Sequence, residues 1–183
     1  MERTMRPIIA IVGGAHAPAP VLAAAEALGR LVVDAGFRVV TGGLTGVMEA
    51  ASRGGRSARG WFEGAVLGIL PGLDPAAANP WVDVAIATGL NHARNVVVVA
   101  SADVVVAVGG GAGTLSEIAL AWAHGKPVLG LDVGEGWSSR LGGEVLDDRR
   151  SEPIRRAHGP EDALAQIVAL LAARPGNKPP PVF

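Results

Sequence analysis

The stretch SADVVVAVGGGAGTLSE, residues 101–117, constrains the fold more than any other part of the chain. A valine-rich run, β-branched and suited to a strand, stops at three successive glycines. Straight after them Leu115, Ile118, Ala119 and Trp122 recur at i, i+3, i+4 and i+7, one face of a helix. Strand, tight turn and helix in that order make most of a βαβ unit, and βαβ units build parallel sheets with helices across their faces.

The rest of the chain repeats that alternation. Strands are predicted at Pro7–Val12, Phe37–Val40, Ala65–Leu70, Val104–Val108 and Pro127–Asp132, with shorter ones at Val82–Ala87 and near Ile154. Helical spacing runs from Val21 to Ala35 before Gly36, over Thr45–Arg53 with Gly54 as its stop, and from Pro160 through Leu171. Val133–Arg150 carries four glycines and both signs of charge, and reads as an irregular loop. One segment stays ambiguous: Val96–Val99 and Val104–Val108 fit a hairpin turned at Ser101–Asp103 slightly better than a helix and a strand. The expected class is α/β, a Rossmann-like doubly wound and mostly parallel sheet with helices on both faces.

Length and composition then set the scale. At 183 residues and 49% hydrophobic side chains, the chain suits one core, hence a single domain over 1–174, which the glycine turns described below make a candidate nucleotide-binding domain, and a Pro-rich tail over 175–183. A formal net charge of -1 offers no basic surplus for nucleic acid or anionic lipid, so neither is an expected partner. No cysteine is present, which excludes disulfides and thiolate chemistry. The opening MERTMRPIIAIVGGAHA imitates a secretory signal, but Ile8–Val12 is too short a core and cleavage would remove the first strand. No apolar stretch approaches the ~20 residues of a membrane span, and the expected location is the cytoplasm.

Three predicted strands end in glycine turns: Gly13-Gly14, Gly42-Gly43-Leu44-Thr45-Gly46, and Gly109-Gly110-Gly111-Ala112-Gly113. In a parallel sheet all three turns share the carboxyl edge, where open α/β sheets bind ligands. Exposed amides and a helix start near Thr114 favour an anion, and the expected partner is a phosphorylated small molecule. A Walker motif is absent because no G-K-[ST] follows. Thr114 also stands where G-x-G-x-x-G needs glycine, although Asp132 sits where a ribose-binding acid would keep a dinucleotide site in play.

Glu117 has two readings. In T-x-x-E, Thr114 to Glu117 forms a capping box whose acid turns back to its own helix start. Alternatively the carboxylate faces the crevice, where it would repel a phosphate unless a spacer such as ribose separated them. That arrangement implies an elongated ligand.

The segments GGGAGTLSEIALAWAHGKPV, TGGLTGVMEAASRGG and HARN together resemble the superfamily of the Lonely Guy phosphoribohydrolases, long mislabelled lysine decarboxylases, and the molybdenum cofactor carrier proteins. The likeness covers residues 7–132 and implies a Rossmann-like fold, a homodimer or higher homo-oligomer, and a helix from Asn91 to Ala100 before a strand near Asp103. Against the hydrolase signature P-G-G-x-G-T-x-x-E, residues Gly110, Gly111, Gly113, Thr114 and Glu117 match, and Arg94 matches an upstream arginine. The implied reaction is hydrolysis of nucleoside 5′-monophosphates to free base and ribose 5-phosphate, with no cofactor required. Arg94 and Glu117 would be catalytic, Arg94 at the phosphate and Glu117 at the ribose or the attacking water. Gly13, Gly14, Gly42, Gly43, Thr45, Gly46, Glu49, Gly110, Gly111, Gly113 and Thr114 would line the ligand. The alternative is a non-enzymatic carrier holding molybdenum cofactor or a related phosphorylated pterin. Gly109 in place of the signature proline, and Asn95 where hydrolases often carry lysine, lie nearer that branch.

Other side chains read as structural. His16 sits on a loop, His124 in a last helical turn, and His92 and His158 have no metal-ligand spacing, so no metal site is expected. Lys126 has no motif for a Schiff base, and Trp122 lies on an apolar stripe as a core or dimer contact.

Overall fold

The computed structural model describes residues 5–173; the expected tail lies outside the described residues. Seven strands, β1 (Ile8–Gly13), β2 (Arg38–Thr41), β3 (Val66–Leu70), β4 (Val84–Ala87), β5 (Val104–Val108), β6 (Val128–Leu131) and β7 (Arg155–Ala157), form one sheet in the order β4-β3-β2-β1-β5-β6-β7. Every ladder is parallel. Among the described residues six α-helices accompany them: α1 (Ala19–Asp34), α2 (Val47–Arg56), α3 (Arg94–Ser101), α4 (Ala112–Ala123) and α5 (Gly136–Leu141) between strands, and α6 (Pro160–Ala172) after the last. The class is the Rossmann-like α/β arrangement read from the sequence.

Alternation along the central strands builds two cores. Ile9 and Ile11 of β1, with Val104, Val106 and Val108 of β5, face α1, α2 and α6. Ala10, Val12, Val105 and Ala107 face α3 and α4. Burial on both sides explains why these strands read as unbroken apolar runs.

The valine ambiguity resolves as a helix. Val98 and Val99 are fully buried from α3 against the sheet, and that packing overrides their weak helix propensity. Lys126 Nζ caps the far end, donating to the carbonyls of Ala100 and Ala102 at 2.9 and 2.7 Å. The Asp103 carboxylate accepts from the Ile8 amide at 2.7 Å, which sets β5 beside β1.

Three expectations need correction. Gly54 does not stop α2, which runs on through Gly55 to Arg56. Gly54 is there because α1 crosses so closely that a side chain would collide with the Glu26 carbonyl, as one at Gly29 would with that of Ala51. Helix α4 starts at Ala112 rather than Thr114, with Gly111 as its cap residue and no side-chain capping bond, so the capping box does not form. The segment 133–150 is not wholly irregular either, since it contains α5. Among the described residues no helix is long and apolar enough to cross a membrane.

Candidate functional site

Strand order reverses between β1 and β5, the point where crossovers leave in opposite directions and open a crevice above the carboxyl ends. Gly13 pairs in register with Val108, so the loops after β1 and β5 emerge side by side. A methyl group placed on Gly14 would stand 3.8 Å from the Gly110 Cα. The loop after β2 joins them: the Val47 amide donates to Gly14 O at 3.0 Å, and Thr45 Oγ1 to Ala15 O at 3.2 Å. All three glycine turns therefore meet along one rim.

The turns differ in what their glycines do. Gly13 is hemmed in by Val47 and the Val108 carbonyl, and Gly46 by the backbone of Gly14 and Ala15. Gly43 donates its amide to Thr41 Oγ1 at 3.0 Å. Gly42 lies against the Arg94 guanidinium, with no room for a side chain. By contrast Gly111 and Gly113 face open space, at the start of a 12-residue helix whose first amides have no intrahelical acceptor. Gly110 takes a positive φ of 88° beneath the Thr114 side chain. This loop is braced by α5: the Gly109 amide donates to Ser138 Oγ at 2.7 Å, and the Trp137 amide to Gly110 O at 3.1 Å. Ser138 and Trp137 were invisible to sequence reasoning because their segment looked irregular.

Arg94, the first residue of α3, and Glu117 of α4 come together. Their side chains are 10% and 7% exposed, and Arg94 Nη1 stands 3.6 Å from Glu117 Oε1, too long for a hydrogen bond. Arg94 Nη2 faces the Met48 sulfur at 3.8 Å, and Nε is buried with no hydrogen-bond partner. A buried guanidinium is normally saturated with acceptors, and this one has the Met48 sulfur and the more distant Glu117 carboxylate facing it. Burial pushes the Glu117 carboxyl up to about 7, against the opposing pull of Arg94. Burial likewise lowers the Arg94 guanidinium from its ordinary value, while Glu117 pulls it the other way. Asn95 Nδ2 donates to Ser116 Oγ at 3.0 Å and locks α3 to α4 beside the pair.

The remaining candidates stand further back. Glu49 lies half-buried in the first turn of α2, where an acid suits the helix dipole, and its charge acts on Arg53. Asp132, at the end of β6, is paired with Arg156 at 2.9 Å and accepts from the Gly134 amide. Trp122 is 3% exposed with its indole N–H on Asp147, a core residue. Among the described residues no three His, Cys, Asp or Glu side chains group to hold a metal ion. A cavity of about 170 Å³ lined by Pro127, Val128, Arg150 and Leu170 lies at the opposite, amino edge of β6 and β7, away from the glycine rim. Sequence reasoning also missed Met48 and the fit of Gly42 to Arg94, because both depend on how α2 and α3 meet.

Known proteins share this architecture over nearly its whole length. The molybdenum cofactor binding protein of the phototrophic bacterium Rippkaea orientalis superposes with a TM-score of 0.79 at 37% identity, covering 91% of this chain and 98% of that one. The molybdenum cofactor carrier protein of Chlamydomonas reinhardtii gives 0.77 at 34% identity, covering 91% and 99%. An uncharacterized protein of Archaeoglobus fulgidus is 40% identical over 123 residues, 67% of this chain and 78% of its own. These matches agree with the superfamily resemblance carried by the glycine motifs. Residues 6–164 match the SLOG cluster4 family, and the chain belongs to that family.

Proposed function

We propose that this chain is a carrier that binds a phosphorylated pterin of the molybdenum cofactor class in the crevice between β1 and β5. One observation carries the reading: the buried Arg94 guanidinium has an unpaired Nε and stands 3.6 Å from Glu117 of α4, the helix opened by the third glycine turn. A phosphate on the first-turn amides of α4 would be steadied by the positive charge of Arg94. The carrier proteins among the similar structures support the same choice. With no cysteine in the chain, no protein thiolate takes hold of molybdenum, and recognition falls to the phosphate and the polar edge of the pterin. We place the carrier in the cytoplasm, as one domain over residues 1–174 and as a homo-oligomer. The edge strand β4 supports the last point, with Val84 and Ile86 42% and 44% exposed and Leu73 and Leu90 beyond them.

The test is anaerobic loading of the purified protein with molybdenum cofactor released from a molybdoenzyme, followed by gel filtration and molybdenum analysis. Near-stoichiometric retention is expected for the wild type, with loss in Arg94→Met. Absence of retained molybdenum in the wild type overturns the carrier reading.

A second reading, hydrolysis of nucleoside 5′-monophosphates, draws on Glu117 at the signature position beside Arg94. Ribose 5-phosphate released from a panel of nucleotides by the wild type and not by Glu117→Gln would establish it; no product from any nucleotide would end it.

A further inference from the structure

Resting on the reading of this crevice as an anion site, we propose that Glu117 takes up a proton when an oxyanion binds, so the site holds its ligand in neutral or mildly acidic medium and releases it in alkali.

The geometry leads there in three steps. First, Arg94 is not committed to Glu117: at 3.6 Å the two attract without a hydrogen bond, and the guanidinium Nε has no partner. Second, among the described residues the elements packed most closely on α4 bring no charge to Glu117 other than Arg94. The elements packed most closely against α4 are α3, β1, β5 and β6, and the segment after α5 meets its far end, with Asp147 on the Trp122 indole N–H and Arg150 over the Trp122 ring. The three strands read IIAIVG, VVVAV and VLGL, wholly apolar, and α3 contributes Arg94 as its one charged residue. Glu117 is the one charged residue of α4 itself, and α2 reaches the pair through the Met48 sulfur. Third, an oxyanion on the α4 amides and Arg94 sets a second negative group against one cation in a poorly hydrated place. Two anions there do what two carboxylates sharing a site do, and one of them takes a proton. Glu117 is the group able to accept it, and once protonated it gains an O–H donor to offer the ligand.

The sign follows. Burial already holds the free carboxyl near neutrality, at about 7. A bound anion raises it further, so the complex keeps the proton to higher pH than the free protein does. Affinity is then greatest below about pH 7 and falls above it, by up to about tenfold per pH unit until the complex also ionises.

Sulfate is the probe, since it stays a dianion across the useful range, with inorganic phosphate as the second ligand. Titration calorimetry between pH 5.5 and 9, in pairs of buffers with different ionisation heats, reads affinity and proton uptake together. For the wild type, uptake approaching one proton per ion near pH 8 is expected, with affinity at least fivefold weaker at pH 8.5 than at pH 6. Glu117→Gln is expected to bind as the wild type does at pH 6, with most of that dependence gone. His16, an ionisable group on the exposed loop after β1, is unchanged in that variant, so the difference between the two proteins reports Glu117. Carbon-detected titration of the glutamate carboxyls in the wild type adds a readout needing no variant: the Glu117 midpoint rises on adding sulfate. Binding with no proton uptake, or an equal pH dependence in Glu117→Gln, overturns the proposal and leaves the anion site standing. Failure of wild type and variant to bind either ion overturns the anion site itself.

Discussion

Replacing Glu117 with glutamine should make the ligand-free protein more stable in alkali and leave it unchanged in acid. The carboxyl is 7% exposed and lies near 7 in the folded chain, against 4.5 for a free glutamate side chain. The folded state therefore binds more protons than the unfolded one between those values, and stability declines as pH rises through that window. Each unit of separation is worth 1.36 kcal/mol, so the deprotonated wild type stands about 3 kcal/mol below its protonated form once the pH exceeds 7. Glutamine mimics the protonated acid in shape and charge at every pH. Urea denaturation at pH 4, 5, 6, 7 and 8 should give nearly matching midpoints for wild type and Glu117→Gln at pH 4, below the unfolded value of 4.5, with the variant ahead by about 1 kcal/mol at pH 5. By pH 8 the variant should lead by about 3 kcal/mol, or about 6–12 °C in melting temperature for a chain of this length. A difference that stays flat from pH 5 to 8 would refute the claim that burial outweighs the attraction of Arg94.

Other substitutions probe other parts of the molecule. Gly54→Ala should destabilise the fold by about 1–3 kcal/mol in urea titrations, because a methyl group there collides with the Glu26 carbonyl across the α1–α2 crossing. Gly42→Ala should weaken oxyanion binding at least tenfold in calorimetry while far-ultraviolet dichroism stays native, since the added methyl displaces the Arg94 guanidinium. Ile86→Lys on the exposed edge of β4 should shift the protein toward monomer in light scattering coupled to gel filtration, and an unchanged mass would exclude that edge as the contact.

Strands and their order of appearance were legible because both faces of the sheet are buried, which leaves apolar runs such as Val104–Val108 with no polar interruption. The convergence of the glycine turns was legible too, since parallel strands send every such turn to one edge. Local patterns failed where a tertiary contact outweighed them. Four valines make a poor helix on propensity alone, yet α3 forms because Val98 and Val99 gain burial. Gly54 resembles a stop signal and is a packing device. T-x-x-E resembles a cap, yet α4 begins two residues earlier and Glu117 turns toward Arg94. The distance between those two side chains, 23 positions apart in the chain, is set by how α3 leans on α4, and no periodicity encodes that.

The reversal of strand order also divides the polypeptide in two. Residues 8–101 supply β1 to β4 and Arg94; residues 104–172 supply β5 to β7 and Glu117, and the chain passes between the halves once, at Ala102 and Asp103. Neither half alone carries the whole of the proposed binding centre. A ligand seated there acts as a rivet across the seam, so occupancy should protect the β1–β5 ladder from hydrogen exchange. A chain cut at the passage would bind cargo only after its two fragments had reunited.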